Sequence, residues 1–378
     1  MRHAPRPNGY RDAWCGQLTA DRADTEARVA GWVHRRRDHG GLIFIDVRDR
    51  SGIVQLVFHP ENAPAAHQEA HKLRSEDVIS ARGTVTRRDP QNVNPNLDTG
   101  EIELAVSELE ILADADTPPF PLDEAANVDE ILRLRHRSLD LRTAQLQRTL
   151  ALRHRAVATM REVLNERDFL EIETPYLTRS TPEGARDYLV PSRIYPGTFY
   201  ALPQSPQILK QLLMMGGLGR YMQIARCFRD EDPRADRQPE FTQIDVEMSF
   251  VSEADVMAMM EGCIRDVWFR ALDHTIGEIP QLTFHEAIRR FGSDKPDLRF
   301  GLELVDVAEL FHGSDFKLFH TLSETPGNRV IALRYPGGAS LSRRDFDALT
   351  ETAKSFGAKG LAYITLADDG AKGPIVKF

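Results

Sequence analysis

The chain has 378 residues, too many for one simple domain and enough for two or three. Hydrophobic residues make up 41% and charged residues 28%, a balance that allows real cores and excludes a wholly disordered chain. The formal net charge of −9 excludes a uniformly basic nucleic-acid coat, so any contact with RNA has to come from local patches.

Residues 1–11 hold Pro5, Pro7 and Gly9 and no apolar segment, which is not the pattern of a secretory signal. No apolar run approaches a membrane span. Cys15, Cys227 and Cys263 lie far apart in the sequence. They suit a reducing compartment, with the cytoplasm as the default, and offer neither a zinc cluster nor a disulfide frame. Strand signals dominate residues 27–112. Residues 28–34 alternate, the basic run Arg35, Arg36 and Arg37 follows, and Asp38, His39, Gly40 and Gly41 read as a turn. Residues 42–48 and 53–58 predict a hairpin, residues 65–74 a short helix, and residues 78–87 and 101–112 two closing strands. Five strands with a helix between the third and fourth is the pattern of an OB-type barrel, a fold that binds single-stranded nucleic acid on one face. Phe44 offers a ring for stacking, Gln55 and Glu103 offer hydrogen bonds to base edges, and the three arginines offer charge for a backbone. Taken singly, Phe44 also fits a core position and the arginine run a solvated turn.

Residues 114–127, with Pro118, Pro119, Phe120 and Pro121 among acidic side chains, read as a hinge. Residues 128–141 are basic and helical in pattern, either a face for an RNA stem or a solvated helix surface. Residues 147–167 carry a helical period with Leu150, Val157, Met160 and Leu164 on or near one face. A strand over residues 169–173 follows and ends at Pro175, which cannot donate to a ladder. Glu183 sits in a loop beside Gly184, where a carboxylate can hold an ammonium group. Ser205 and Pro206 then open a helix as N-cap and first helical residue. Gln207 and Lys210, three apart, share a face of its first turn.

Residues 221–228 and 241–250 alternate and predict an antiparallel hairpin. Its long loop carries Arg229, Arg234 and Arg237, balanced by Asp230, Glu231, Asp232 and Asp236. Guanidinium forks grip phosphate oxygens in pairs, so such a loop can fold over a polyphosphate. On charge alone it reads as a salt-bridged surface hairpin.

The residues around the loop favour the first reading. Phe228, Arg229, Asp230, Glu231 and Asp232, with Arg237, Gln238, Pro239, Glu240, Phe241, Thr242 and Gln243, resemble motif 2 of the class II aminoacyl-tRNA synthetases. With Pro182, Glu183, Gly184, Ala185, Arg186, Asp187 and Tyr188 upstream, the chain is similar to the bacterial-type aspartyl enzymes of that family. The helix, strand and proline ending at Pro175 resemble motif 1, which builds the family's dimer interface. The resemblance implies an ATP-dependent ligase that converts L-aspartate to aspartyl-adenylate and transfers it to the 3′ end of tRNA(Asp). It implies Mg2+ alongside ATP and a homodimer. Arg229 is the implied catalytic residue, touching both the aspartate carboxylate and the α-phosphate. Glu183, Gln207, Lys210 and Arg229 are the implied aspartate contacts, with Asp245 assisting at the amino group. Arg229, Asp230, Glu231, Arg237, Gln238 and Phe241 are the implied ATP contacts. Arg35, Arg36, Arg37, His39, Phe44, Gln55 and Glu103 are the implied anticodon contacts. Lys210 is the residue that a site selective for an acidic side chain needs, and it opposes asparagine and lysine as substrates. His39, between Asp38 and Gly40, is similar to versions that accept tRNA(Asn) as well.

The family's third motif, a Gly-rich segment with an Asp-Arg ending, is not found, and no metal ligand set is identified in this chain. Residues 300–378 are similar to the start of the insertion module of the bacterial aspartyl enzymes. The expectation is therefore an incomplete form that is inactive alone. The competing reading is a non-catalytic, synthetase-like tRNA-binding protein, against which the intact Lys210, Arg229 and Glu231 count. The expected fold is α+β and multidomain: an OB-fold barrel over 1–113, a hinge over 114–135, a class II antiparallel sheet flanked by helices over 136–299, and a partial α/β insertion domain over 300–378.

Overall fold

The computed structural model describes residues 5–181, 183–234, 236–299, 301–368 and 370–376. The chain divides into two compact units, Met1–Ile276 and Gly277–Phe378. The second opens ahead of residue 300, where the sequence pattern begins the insertion module.

The first unit starts with β1 (Glu26–His39), β2 (Leu42–Asp49), β3 (Gly52–Phe58), α1 (Pro64–Ala70), β4 (Val78–Arg87) and β5 (Ile102–Ala113). The strands close into a barrel in the order β1-β2-β3-β5-β4. Period-2 alternation explains the closure: Val29 and Val33, Ile43, Ile45 and Val47, Leu56 and Phe58, Ile79 and Ala81, and Ile102 and Leu104 all point inward and are buried. Each of these Val, Ile, Leu and Phe side chains contributes about 1.5–3 kcal/mol on burial. At Gly83 a Cβ would lie 2.1 Å from the Ala105 carbonyl oxygen, so only glycine lets β4 and β5 approach there.

β1 is longer than the pattern predicts. It continues through the basic run to His39, and the turn contracts to the two glycines that follow. Its ladder with β2 is interrupted by one unpaired residue, His34, between Val33↔Val47 and Arg35↔Asp46.

The segment after the barrel is more than a spacer. Phe120 is buried with Ala125 and Leu139, and Asp123 reaches His34 (3.3 Å) and Arg35 (3.4 Å). The single basic helix expected over 128–141 is two short ones, α2 (Glu130–Arg135) and α3 (Arg137–Asp140), broken at His136 (φ −109, ψ 46). Arg133 and Arg137, on either side of the break, both reach Asp140, which is only 1% exposed. Glu76, also buried, accepts two bonds from Arg48 of β2 (2.8 and 2.9 Å) and one from Arg142 (2.8 Å). Arg142 also lies over the Trp32 ring at 4.9 Å. The barrel is thereby tied to the start of the next helix.

That helix is α4 (Ala144–Asn165), begun three residues earlier than expected because the Thr143 hydroxyl caps the Leu146 N–H. β6 (Leu170–Glu171), β7 (Leu189–Pro191), β8 (Phe199–Ala201), α5 (Gln207–Met215), β9 (Arg220–Phe228), β10 (Glu240–Met248) and α6 (Glu253–Leu272) complete the unit. The sheet runs β10-β9-β6, with β9 and β10 antiparallel and β6 parallel to β9. Met160, Val163 and Leu164 of α4 pack with Phe169, Met222 and Cys263 beneath it. α6 starts in a reciprocal Ser252–Asp255 capping box.

The second unit holds α7 (Phe284–Phe291), β11 (Leu304–Asp306), α8 (Lys317–Glu324), β12 (Ile331–Leu333), α9 (Arg343–Ser355), β13 (Thr365–Ala367) and β14 (Gly370–Lys372). β11 pairs with β12 and β13 with β14, both antiparallel. Ala287 and Val330 are its buried hydrophobics among the described residues.

Candidate functional site

The β9–β10 hairpin is in uniform register, with Phe228 opposite Glu240 and Gln223 opposite Asp245. Its loop starts at Arg229, whose backbone N–H donates to the Pro239 carbonyl (2.9 Å) and whose guanidinium lies 5.1 Å from the centre of the Phe241 ring. Asp230 donates its N–H to Arg186 (3.0 Å), so the loop is joined to the upstream segment that carries Glu183. Arg237 reaches Glu231 at 3.5 Å. Asp230, Glu231, Arg237 and Gln238 are exposed, and Arg229 and Phe241 are half-buried.

Lys210 is 8% exposed on the first turn of α5. Its ammonium donates to Asp245 Oδ1 (2.8 Å) and lies 3.3 Å from Glu247 Oε2. Burial alone would lower its pKa; the two carboxylates outweigh that and hold it above the ordinary lysine value, fully charged. An ammonium has three donors, and two are engaged here. Asp245 Oδ2 is buried and, among the described residues, has no hydrogen-bond partner. The nearby Tyr221 hydroxyl donates to Gln223 Oε1 (2.7 Å), as does Thr174 (2.9 Å). Glu247 was missed by the sequence pattern. The available signal was strand parity, since it lies two residues beyond Asp245 and so on the same face of β10.

α5 begins one residue later than expected, at Gln207, with Pro206 in the cap position (φ −80, ψ 24). Ser205 still serves the helix end, accepting from the Gln207 N–H (3.3 Å), and its own hydroxyl donates to Glu183 Oε2 (2.5 Å). Thr181 donates to Glu183 Oε1 (3.1 Å). Gln207 is half-buried in the same turn as Lys210. Pro182, first residue of the upstream motif, lies outside the described residues.

Cys227 marks the point where these groups meet. Burial and then Asp245 push its thiol up to about 11, Glu183 adds to the rise, and Arg229 and Lys210 pull it down. All four charged groups are thus close enough to act on one buried sulfur. Phe241, which the Arg229 guanidinium approaches, and Asp245, which Lys210 bonds, are four residues apart on β10 and so share one face of the sheet.

On the barrel, Arg35, Arg37 and His39 project from the same face as Phe44, Gln55 and Glu103. Arg37 lies opposite Phe44 in the ladder and donates to Gln55 (3.0 Å) and Asp46 (3.1 and 3.2 Å). Gln55 donates to Glu103 (3.1 Å). Phe44 is half-buried on this outer face rather than a core residue. Arg36 is a correction. It lies opposite the buried Ile45, on the inner side, and donates to the His71 carbonyl (2.5 Å) at the end of α1. The unpaired His34 causes this, because it inverts the alternation beyond it. Arg88 joins the network from the end of β4, 3.8 Å from Glu103. Burial lowers the Arg88 pKa and raises that of Glu103. The pattern gave no reason to separate Arg88 from Arg87.

Among the described residues, no three or more His, Cys, Asp or Glu side chains gather as a metal site, and no helix is long and apolar enough to cross a membrane.

Residues 129–360 match the family described as tRNA synthetases class II (D, K and N), and residues 27–112 match the OB-fold nucleic acid binding domain. The chain is 53% identical over 369 residues to the aspartate–tRNA(Asp/Asn) ligase of Halothermothrix orenii, covering 97% of this chain and 62% of that protein. It is 55% identical over 371 residues to the protein of the same name from Thermodesulfovibrio yellowstonii, covering 98% of this chain and 62% of that protein. The chain therefore spans about 62% of the length of these curated relatives. Among solved structures, asparaginyl-tRNA synthetase from Pyrococcus horikoshii complexed with asparaginyl-adenylate superposes with a TM-score of 0.61 at 24% identity, over 69% of this chain and 58% of that one. A putative aspartyl-tRNA synthetase from Leishmania major gives 0.60 at 24% identity, over 68% and 51%. At that identity the structures establish the fold alone.

Proposed function

The chain belongs to the class II tRNA synthetases of the D, K and N group, and we propose that it serves aspartate–tRNA ligation. In the first half-reaction an L-aspartate carboxylate oxygen attacks the α-phosphorus of ATP, and pyrophosphate leaves. In the second, a hydroxyl at the tRNA 3′ end attacks the acyl carbon and AMP leaves. Two anions have to be brought together, so the protein supplies cations aimed at the phosphoryl oxygens more than an acid or base. Arg229 takes the carboxylate and the α-phosphate. Glu231 and Gln238 hold adenine and ribose edges with Asp230 beside them, Phe241 offers its ring to adenine, and Arg237 meets the distal phosphates. Glu183 and Gln207 take the ammonium end of aspartate. Mg2+ has no protein cage among the described residues. A hard cation that keeps its waters would arrive with the nucleotide phosphates.

The observation that carries the choice of amino acid is Lys210: buried, charged, with two of its three donors engaged by Asp245 and Glu247, beside an Asp245 oxygen that has no hydrogen-bond partner among the described residues. The third donor suits a side-chain carboxylate and that oxygen suits the substrate ammonium. The same logic disfavours an amide or an ammonium at that point. The barrel face then reads the anticodon of tRNA(Asp). His39 and the tRNA(Asp/Asn) names of the relatives support tRNA(Asn) as a second acceptor. Exposed Leu150, Leu152 and Leu170 on α4 and β6 support a homodimer through motif 1, and buried free thiols support a reducing cytoplasm.

The test is ATP–pyrophosphate exchange by the protein at the full length of its curated relatives, of which this chain spans about 62%, with each amino acid in turn. L-Aspartate supports exchange, asparagine and lysine do not, and Lys210→Met lowers the aspartate-dependent rate by roughly 10–10², the loss expected for one charge-assisted bond. Equal exchange with asparagine would sink the assignment.

A further inference from the structure

Gln204 precedes α5 and is 1% exposed, yet it is fully polar. Its side-chain amide pairs with both main-chain groups of Ala185. Oε1 accepts from the Ala185 N–H (3.1 Å), and Nε2 donates to the Ala185 carbonyl (2.8 Å) and to Asp187 Oδ1 (2.5 Å). The main-chain donor and acceptor fix which end of the amide is which. The other oxygen of Asp187 is held by Ser180. One residue along, Ser205 reaches Glu183, while on the far side of the segment Arg186 accepts from Asp230 at the start of the charged loop.

We propose that Gln204 is a positioning residue, a side-chain substitute for a neighbouring strand that latches residues 183–187 and so holds the Glu183 carboxylate against Ser205, just ahead of the helix that carries Lys210. This rests on the reading of that site as an aspartate site. Only glutamine meets the geometry. Asparagine has the same groups one methylene short, glutamate has no donor for the Ala185 carbonyl and repels Asp187, and lysine has no acceptor for the N–H. A loop held only by its own backbone would wander at small cost in stability but large cost in placement.

Two readouts on the full chain test it. Amide hydrogen exchange at Ala185 reports the latch without reference to any substrate. Calorimetric titration with L-aspartate and, separately, with ATP reports its use. Gln204→Glu speeds Ala185 exchange about tenfold or more and weakens L-aspartate about tenfold, while ATP affinity moves less than about threefold. Adding Asp187→Asn to that variant restores part of both, because it returns a donor where the charge clash was. Gln204→Asn, which keeps the polarity and is the fallback if the charged variant does not fold, shifts both readouts in the same direction. Unchanged exchange at Ala185, or equal loss of aspartate and ATP affinity, overturns the latch. Normal latch behaviour in a wild-type chain that takes up no L-aspartate overturns the functional reading instead.

Discussion

Cys227 shows how one neutral side chain can report on a charged site. Its thiol is fully buried and pushed up to about 11, burial being the larger cause and Asp245 the next. Between about pH 9 and 11 the unfolded chain ionises this thiol and the folded chain does not, so the unfolded state binds fewer protons and stability falls as pH rises through that window. Comparing urea midpoints at pH 8 and pH 10, Cys227→Ala should remove about 1 kcal/mol of the wild-type loss. Lys210 has the opposite chemistry with the same direction. Its pKa is raised, so its pairing with Asp245 and Glu247 is fully present at neutral pH and is lost only as pH climbs through that raised value. Residue identities at the site were legible wherever the family wording names them. The Glu183–Ser205 bond, the Gln204 clamp and the Glu247 partner were not, since each depends on two segments meeting in space.

At the scale of elements, the join between barrel and synthetase domain is an ion cluster rather than an apolar seam. Glu76 sits at φ +71, a left-handed conformation that is uncommon outside glycine. The backbone holds it there with its carboxylate between Arg48 and Arg142. Removing the charge leaves two guanidiniums facing a neutral group in a largely buried setting. Glu76→Gln should therefore destabilise the first unit by about 3 kcal/mol, read as a lower denaturant midpoint. The barrel strands other than β1 were legible to within a residue because alternation and turn chemistry agree, whereas the basic run that extends β1 read as the approach to a turn. The helices after the hinge were not. A run of arginines predicts a continuous basic face, and nothing local reveals that Arg133 and Arg137 will both pair with a buried Asp140.

Across the whole molecule, two polar groupings sit on different elements of the first unit: the barrel face around Phe44 and the β9–β10 hairpin loop around Arg229. If they serve different ends of one tRNA, they separate in a simple assay. Phe44→Ala should weaken tRNA charging while leaving aspartate-dependent pyrophosphate exchange unchanged; equal loss of both would reject the division of labour. Net charge gave no hint of either surface, because −9 is a sum over faces of opposite sign. The spare residue in the first strand has a consequence for anyone comparing this chain with distant kin. Left and right change places at His34, so a relative whose strand lacks the extra residue must carry its outward cations at shifted offsets from the last inward valine. A gapless superposition of the two sequences there would equate an outward-facing arginine with one that braces a helix.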